Sequence, residues 1–212
     1  MAYGMLASGT MKRILVTGAE TISPVINFND PLTAILFGDG AGAVLMGRVD
    51  GSDGGMCPPT LGFDYNWENI VMENANMPFN VTVREPASDG RPPAVERTYV
   101  QMRAGPSVLR NAVNIMADCS RKALGSPDKE AWKDLTHCLR VIPHQANGRI
   151  VDGITRKLGV DPLKVLKTVH NYGNISAASN LIALDFAVRK GNLVANQDPE
   201  TGAQVMGMLL EI

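Results

Sequence analysis

The chain has 212 residues, with 20 Lys and Arg against 21 Asp and Glu, so its formal charge is -1 and no basic field points to nucleic acid or an anionic membrane surface. With 45% hydrophobic and 19% charged residues it has the balance of a globular protein that buries one sizeable core or two small ones. The three cysteines, Cys57, Cys119 and Cys138, form no C-x-x-C pair, which argues against a disulfide framework or zinc site and fits the reducing cytoplasm; no apolar run reaches membrane-spanning length.

In chain order, "MAYGMLASGTMKR" reads as the end of a helix closing into a short buried strand, "ILVTGAE". "TAILFGDGAGAVLMGRV" reads as an apolar strand whose glycines at 38, 40 and 42 suit a bulge or a close backbone approach. Residues 51–100 hold much of the glycine and proline and show little periodicity, so they read as a long excursion with short hairpin strands. From Val100 the order returns. Val108, Leu109, Ala112, Ile115, Met116, Cys119 and Ala123 recur at helical steps, and Gly125 can close that helix. "SPDKE" predicts a short helix capped by Ser126, and "LRVI" a strand. A helix with Ile150, Val151, Ile154 and Leu158 on one side then ends at Gly159. "DPLKVLKTV" predicts another helix behind an Asp-Pro cap, Ser176 a cap for the helix "AASNLIALDFAVRK" that stops at Gly191, and "VMGMLLEI" a last buried strand. Strands alternating with helices predict an α/β layered fold.

Two segments carry candidate chemistry. "PHQAN" sets His144 at the C-terminal end of a strand, and "HNYGNISAAS" sets Asn174 in a glycine-containing loop before a helix, 30 residues later. Ligands of α/β sheets bind at such strand-to-helix loops, so both side chains are candidates for one pocket, where a histidine and an asparagine offer two N–H donors to one oxygen. The "GDGAGA" glycines lack the spacing of a dinucleotide loop and read as structural. His137 and Cys138, being adjacent on a strand, point apart, so with His144 they make no metal site, and neither metal nor cofactor is expected.

"FGDGAGAVLMGRV", "VIPHQANGRIVDGITRKLGV" and "YGNISAASNLIALDFAVRKG", in that order, resemble β-ketoacyl-acyl-carrier-protein synthase III, a thiolase-like condensing enzyme. The resemblance implies a thiolase-like layered fold of helices packed on mixed sheets, with residues 1–100 ending the N-terminal half and 101–212 forming the C-terminal half with the His/Asn site. It implies a decarboxylating Claisen condensation. An acyl thioester, on coenzyme A or a carrier protein, loads a nucleophilic cysteine; malonyl-acyl carrier protein then loses carbon dioxide, and its carbanion attacks the acyl-enzyme. His144 and Asn174 match the catalytic pair that stabilises the enolate, each well-placed donor being worth about 3 kcal/mol. Asn147 and Gly105 match positions along the pantetheine arm, and Arg149 and Arg110 match the face that meets the acidic carrier protein.

The chain also departs from the family pattern. The nucleophilic cysteine belongs at the start of the helix whose tail is "MAYGMLASG", and none of Cys57, Cys119 or Cys138 has matching surroundings. The family chain continues past the last strand into a glycine-rich loop, so the fold is expected to be incomplete relative to the family. Pro31 and Leu32 stand where many members have an arginine that stacks on the adenine of coenzyme A, and Ile175 replaces a threonine. A homodimer, or a partner supplying the cysteine half, is therefore expected. The alternatives are a non-catalytic or partner-dependent scaffold of a split condensing enzyme, and a relative of type III polyketide or 3-hydroxy-3-methylglutaryl synthases.

Overall fold

The computed structural model describes residues 1–48, 59–62, 70–73, 82–83, 95–96, 99–123, 138–190 and 204–207. Helix α1 (Ala2–Ala7) turns through Gly9, at φ 75°, into strand β1 (Arg13–Glu20) in the predicted order, but the strand expected to be buried is not: only Gly18 is buried and Leu15 is exposed, because one face of the pair lies open. Strand β2 (Gly40–Gly47) pairs with β1 antiparallel, in unbroken register from Arg13 opposite Gly47 to Glu20 opposite Gly40. The strand expected from Thr33 starts only at Gly40. Pro31 has no N–H for a ladder but suits the first turn of a helix, so Pro31–Ala34 forms a helical turn, α2, whose Leu32 N–H is capped by the Asp30 carboxylate at 3.1 Å.

The excursion contains nested antiparallel pairs: β3 (Ile70–Glu73) on β6 (Tyr99–Met102), and β4 (Thr82–Val83) on β5 (Val95–Glu96). Thr33, fully buried, accepts from the Met102 N–H through its hydroxyl at 3.2 Å and ties α2 to β6. Helix α3 (Gly105–Ala123) buries Ala112, Met116 and Ala117, while Cys119 is only half-buried. The "SPDKE" helix and its Ser126 cap, and the Gly125 and Gly191 stops, lie outside the described residues.

Strand β7 (Cys138–Ile142) runs parallel to β8 (Gln204–Gly207), and helix α4 (Gly148–Leu158) ends at Gly159 with φ 71°, the left-handed cap expected of a glycine there. "DPLKVLKTV" departs from expectation. Asp161 does cap, accepting from the Leu163 N–H at 2.9 Å, but Pro162–Lys164 makes a single 3-10 turn. The β-branched Val165 then runs beside Val141 of β7, with the Leu166 N–H on the Val141 carbonyl at 2.8 Å; pairing with the sheet outweighs one more helical turn. A short helix α5 (Val169–Tyr172) and a longer α6 (Ala178–Arg189) complete the described fold.

These elements stack in layers. Successive residues of a strand face opposite sides, so Val141 packs with Met116, Ile150, Ile154 and Leu158 of α3 and α4, whereas Ile142 packs with Leu166, Ala183 and Ala187 on the side of α6. The other side of α6 lies on β1 and β2, and here the strand glycines explain themselves. A Cβ on Gly18 would sit 2.8 Å from the Ala177 carbonyl group, and one on Gly42 would sit 2.7 Å from the Leu181 Cβ. The helix therefore rests directly on the backbone of the sheet, which is the close approach the glycine pattern allows.

Candidate functional site

Pro143 ends β7 because it brings no donor to the ladder, and the chain then dives inward: Pro143, His144, Gln145 and Ala146 are all buried. A buried loop must satisfy its backbone groups from within, and the Gln145 side chain does so. Its Nε2 donates to the carbonyls of Pro143 at 2.8 Å and Leu166 at 3.1 Å, while its Oε1 accepts from the N–H groups of Thr168 at 2.7 Å and Val169 at 3.1 Å. One amide thus fastens the loop after β7 to the segment that leads into α5 and on to Asn174. Asn147, half-buried, caps α4 by accepting from the Arg149 N–H at 2.8 Å.

Asn174 is buried at 5% exposure and held on both sides of its backbone. Its N–H donates to the Leu36 carbonyl at 2.8 Å, and its carbonyl accepts from the Gly38 N–H at 2.9 Å. Ile175, 1% exposed, fills the space above Gly38 and Gly40. Ser176 is not the helix cap that the sequence predicts. It takes φ 46°, a left-handed conformation rare for a residue with a side chain, and so turns its own N–H onto the Asn174 Oδ1 at 2.9 Å. No side chain caps the start of α6; the Ser179 hydroxyl in its first turn instead accepts from the Ile175 N–H of the preceding loop at 2.9 Å. With Oδ1 occupied, the orientation of the Asn174 amide is fixed, and its NH₂ is the end left to donate.

His144 is 1% exposed and its Nδ1 is sealed from water. Burial disfavours the charged imidazolium and lowers its pKa from 6.5 to about 4; an opposing interaction with the side chain of Asn180, in the first turn of α6, only partly offsets this. The ring is therefore neutral at pH 7. The Asn180 Nδ2 also reaches the Ile142 carbonyl, at 3.4 Å. Asn180 lies in the first turn of α6, and Asn174 lies on the loop that enters the same end of that helix. His144 is thus buried on the loop from β7 to α4, and Asn174 on the loop from α5 to α6.

The wider comparisons agree with this architecture. A family model described as 3-oxoacyl-[acyl-carrier-protein] synthase III matches residues 1–63, and the model of its C-terminal portion matches residues 114–199. The chain belongs to the 3-oxoacyl-[acyl-carrier-protein] synthase III family. It is 36% identical over 200 residues to the β-ketoacyl-[acyl-carrier-protein] synthase III of Natranaerobius thermophilus, covering 93% of this chain and 57% of that protein. To the same-named protein of Desulfitobacterium hafniense (strain Y51) it is 40% identical over 192 residues, 91% of this chain and 54% of the relative. The crystal structure of the Aquifex aeolicus 3-oxoacyl-[acyl-carrier-protein] synthase III superposes with a TM-score of 0.62 at 29% identity, over 91% of this chain and 54% of that one. The chain thus spans about half the length of the relatives it matches, and its fold is thiolase-like.

The remaining sequence-predicted positions fall apart from this junction. Gly105 is the first residue of α3, and Arg110 and Arg149 are exposed on α3 and α4. The two arginines line one open groove of about 560 Å³ between those helices, together with Arg156, Lys157, Leu109 and Val113. Gly153 lets the helices meet closely here, since a Cβ on it would sit 2.6 Å from the Val113 Cγ2. Among the described residues no group of three or more His, Cys, Asp or Glu side chains is gathered for a metal, and no helix is long and apolar enough to cross a membrane. Sequence reasoning missed Gln145 and Asn180. The signal for Asn180 was present as a single amide in the apolar run "AASNLIALDF".

Proposed function

We propose that this chain carries the decarboxylating half of a β-ketoacyl-acyl-carrier-protein synthase III-type acyltransferase, acting in fatty-acid or related biosynthesis. Its substrates on this reading are malonyl-acyl carrier protein and an acyl thioester of coenzyme A or a carrier protein, and it needs no cofactor. The observation that carries the reading is the Asn174 amide. Its Oδ1 is engaged by the Ser176 N–H, its backbone is fixed between Leu36 and Gly38, and it is 5% exposed, so its NH₂ is a preorganised donor in a low-dielectric setting. As malonyl carbon–carboxylate cleavage moves an electron pair toward the thioester carbonyl, Asn174 donates to the oxygen that becomes negative. His144 is the neutral, buried imidazole of the same junction, able to hold or move a proton beside that oxygen.

The cationic groove of Arg110, Arg149, Arg156 and Lys157 supports a carrier-protein face, where an acidic partner would be steered by charge. Asn147 and Gly105 stand at the starts of α4 and α3, and the reading assigns them to the pantetheine arm between that face and the junction. Cys119 is half-buried on α3, and the reading assigns the acyl-accepting thiol to a partner or to sequence beyond this chain.

A second reading, a partner-dependent subunit, is favoured by β1 and β2. Leu15 and Leu45 face each other across the pair, 63% and 65% exposed, on the side away from α6. Cover by a homodimer or a heteromeric partner would remove this apolar surface from water.

The test is carbon dioxide release from malonyl-acyl carrier protein without an acyl primer, by the wild type and by Asn174→Ala and His144→Ala. The proposal expects release above background that both variants lose. Release by folded wild type that survives Asn174→Ala would refute the assignment.

A further inference from the structure

The ladder between β1 and β2 ends at the pair Glu20 and Gly40. Residues 36–39 lie beyond that end, yet they are the strip that grips the Asn174 backbone: the Leu36 carbonyl takes its N–H at 2.8 Å, and the Gly38 N–H reaches its carbonyl at 2.9 Å. Such a grip holds only if the strip itself is held. Gly38 and Gly40 lie against the chain around Asn174 with no side chain between, since a Cβ on Gly38 would collide with the Tyr172 carbonyl and one on Gly40 would stand 3.0 Å from the Ile175 Cδ1. Asp39, between these glycines, is the only polar side chain of the strip, and its carboxylate reaches a different neighbour, the turn that follows β1. Its Oδ1 accepts from the N–H groups of Ile22 at 2.7 Å and Ser23 at 2.8 Å, and its Oδ2 accepts from the Ser23 hydroxyl at 2.6 Å. Hydrogen bonds to an ionised acceptor are the short, strong ones. The side chain thus continues the attachment to the β1 end at the point where backbone pairing has stopped.

We infer that Asp39 is a positioning residue for Asn174: by clamping the 3-10 turn Ser23–Val25 it anchors residues 36–39 to the end of β1, and so holds still the Leu36 and Gly38 groups that set the Asn174 backbone. This rests on the proposed role of Asn174 and deepens it. Asp39 acts through Gly38 and not on the substrate. Without its carboxylate, Asn174 keeps the Ser176 N–H on its Oδ1, but the backbone that carries both is free to drift, and the NH₂ loses its alignment with the oxygen that becomes negative. The effect belongs to the chemical step, because the carrier-protein face assigned to α3 and α4 is built from other residues.

The test compares backbone amide hydrogen exchange in the wild type, Asp39→Ala, Asp39→Asn and Ser23→Ala. In Asp39→Ala the N–H groups of Gly38 and Asn174 should exchange faster by about tenfold or more, while those of Val151 and Ile154 in α4 stay as in the wild type. Asp39→Asn should stay close to wild type, because its Oδ1 still accepts both N–H groups and its Nδ2 donates to the Ser23 hydroxyl oxygen. Ser23→Ala, which removes only the hydroxyl bond, should give a smaller acceleration at the same two amides, and it decides the matter if Asp39→Ala does not fold. Unchanged exchange at Gly38 and Asn174, or an acceleration shared equally by α4, overturns the inference. Primer-free release of carbon dioxide from malonyl-acyl carrier protein supplies the second readout: Asp39→Ala should lower kcat by about tenfold or more with KM unchanged. A wild-type kcat in that variant, or a change in KM alone, also overturns it. Local acceleration in a chain whose wild type releases no carbon dioxide would sink the proposed reaction and leave the Asp39 clamp standing, whereas wild-type release without local acceleration would do the opposite.

Discussion

Buried His144 makes the protein acid-sensitive by a calculable amount. In the unfolded chain its imidazole titrates near 6.5, whereas in the fold desolvation holds it to about 4. A depressed histidine pKa means that, between those values, the unfolded state binds the proton and the native state does not. Stability therefore rises with pH through this window and falls as the solution is acidified from 6.5 toward 4. From the two pKa values the difference between pH 7.5 and pH 5 amounts to about 2 kcal/mol from this one group.

The perturbation is His144→Gln, which keeps a polar side chain and removes the titration. Urea unfolding of wild type and variant at pH 7.5, 6.5, 5.5 and 5 gives two curves of free energy against pH. Carboxylates contribute equally to both, so their difference isolates the histidine, whatever the constant offset the substitution introduces. The expected result is a wild type that loses about 2 kcal/mol more than the variant over that range. Parallel curves would mean that His144 is solvated or paired in the folded protein, and the argument from burial would fail.

Two further predictions concern the packing around the site. Gln145→Leu should destabilise by about 3 kcal/mol or more, because it strands two buried carbonyls and two N–H groups, as a fall in urea midpoint would show. Gln145→Glu, which keeps the acceptor but loses the donors, should not restore stability. Gly153→Ala should cost about 1–3 kcal/mol despite the better helix propensity of alanine, because Val113 cannot rotate away from the new methyl group. Adding Val113→Ala should recover part of that loss, and strictly additive thermal shifts in this double-mutant cycle would show that the two helices do not meet there.

The parts of this fold that could be read from the sequence are those in which each residue speaks for itself. The α4 helix announces its buried side through Ile150, Val151, Ile154 and Leu158 and its end through Gly159; β2 announces a close neighbour through its alternating glycines. Where a residue's conformation is decided by a distant partner, local signals misled. Val165 follows a good helix start yet extends, because Val141 is waiting to pair with it. Ser176 looks like a cap, yet its N–H is spent on Asn174 and no side chain caps the helix. Pro31 and Thr33 sit in an apolar run that reads as strand, but Asp30 caps them into a turn and the Thr33 hydroxyl binds β6. His144 and Asn174 were legible as polar residues in loops that lead into helices. The supporting amide was not, since nothing local says that Gln145 bonds inward.

The same network explains why the junction tolerates strain. A left-handed Ser176 costs about 1–2 kcal/mol, and that cost is useful only if the N–H it aims stays aimed. The surrounding bonds see to this from three directions. Leu36 and Gly38 grip the Asn174 backbone, Ser179 holds the Ile175 N–H, and Ile175 is wedged over Gly38 and Gly40, where any larger residue would lift it. Gln145 then ties the backbone of the His144 loop to the chain entering this segment through buried hydrogen bonds. A donor that must meet developing charge without reorganising needs this kind of support, which lies in backbone groups and glycines outside the reacting pair.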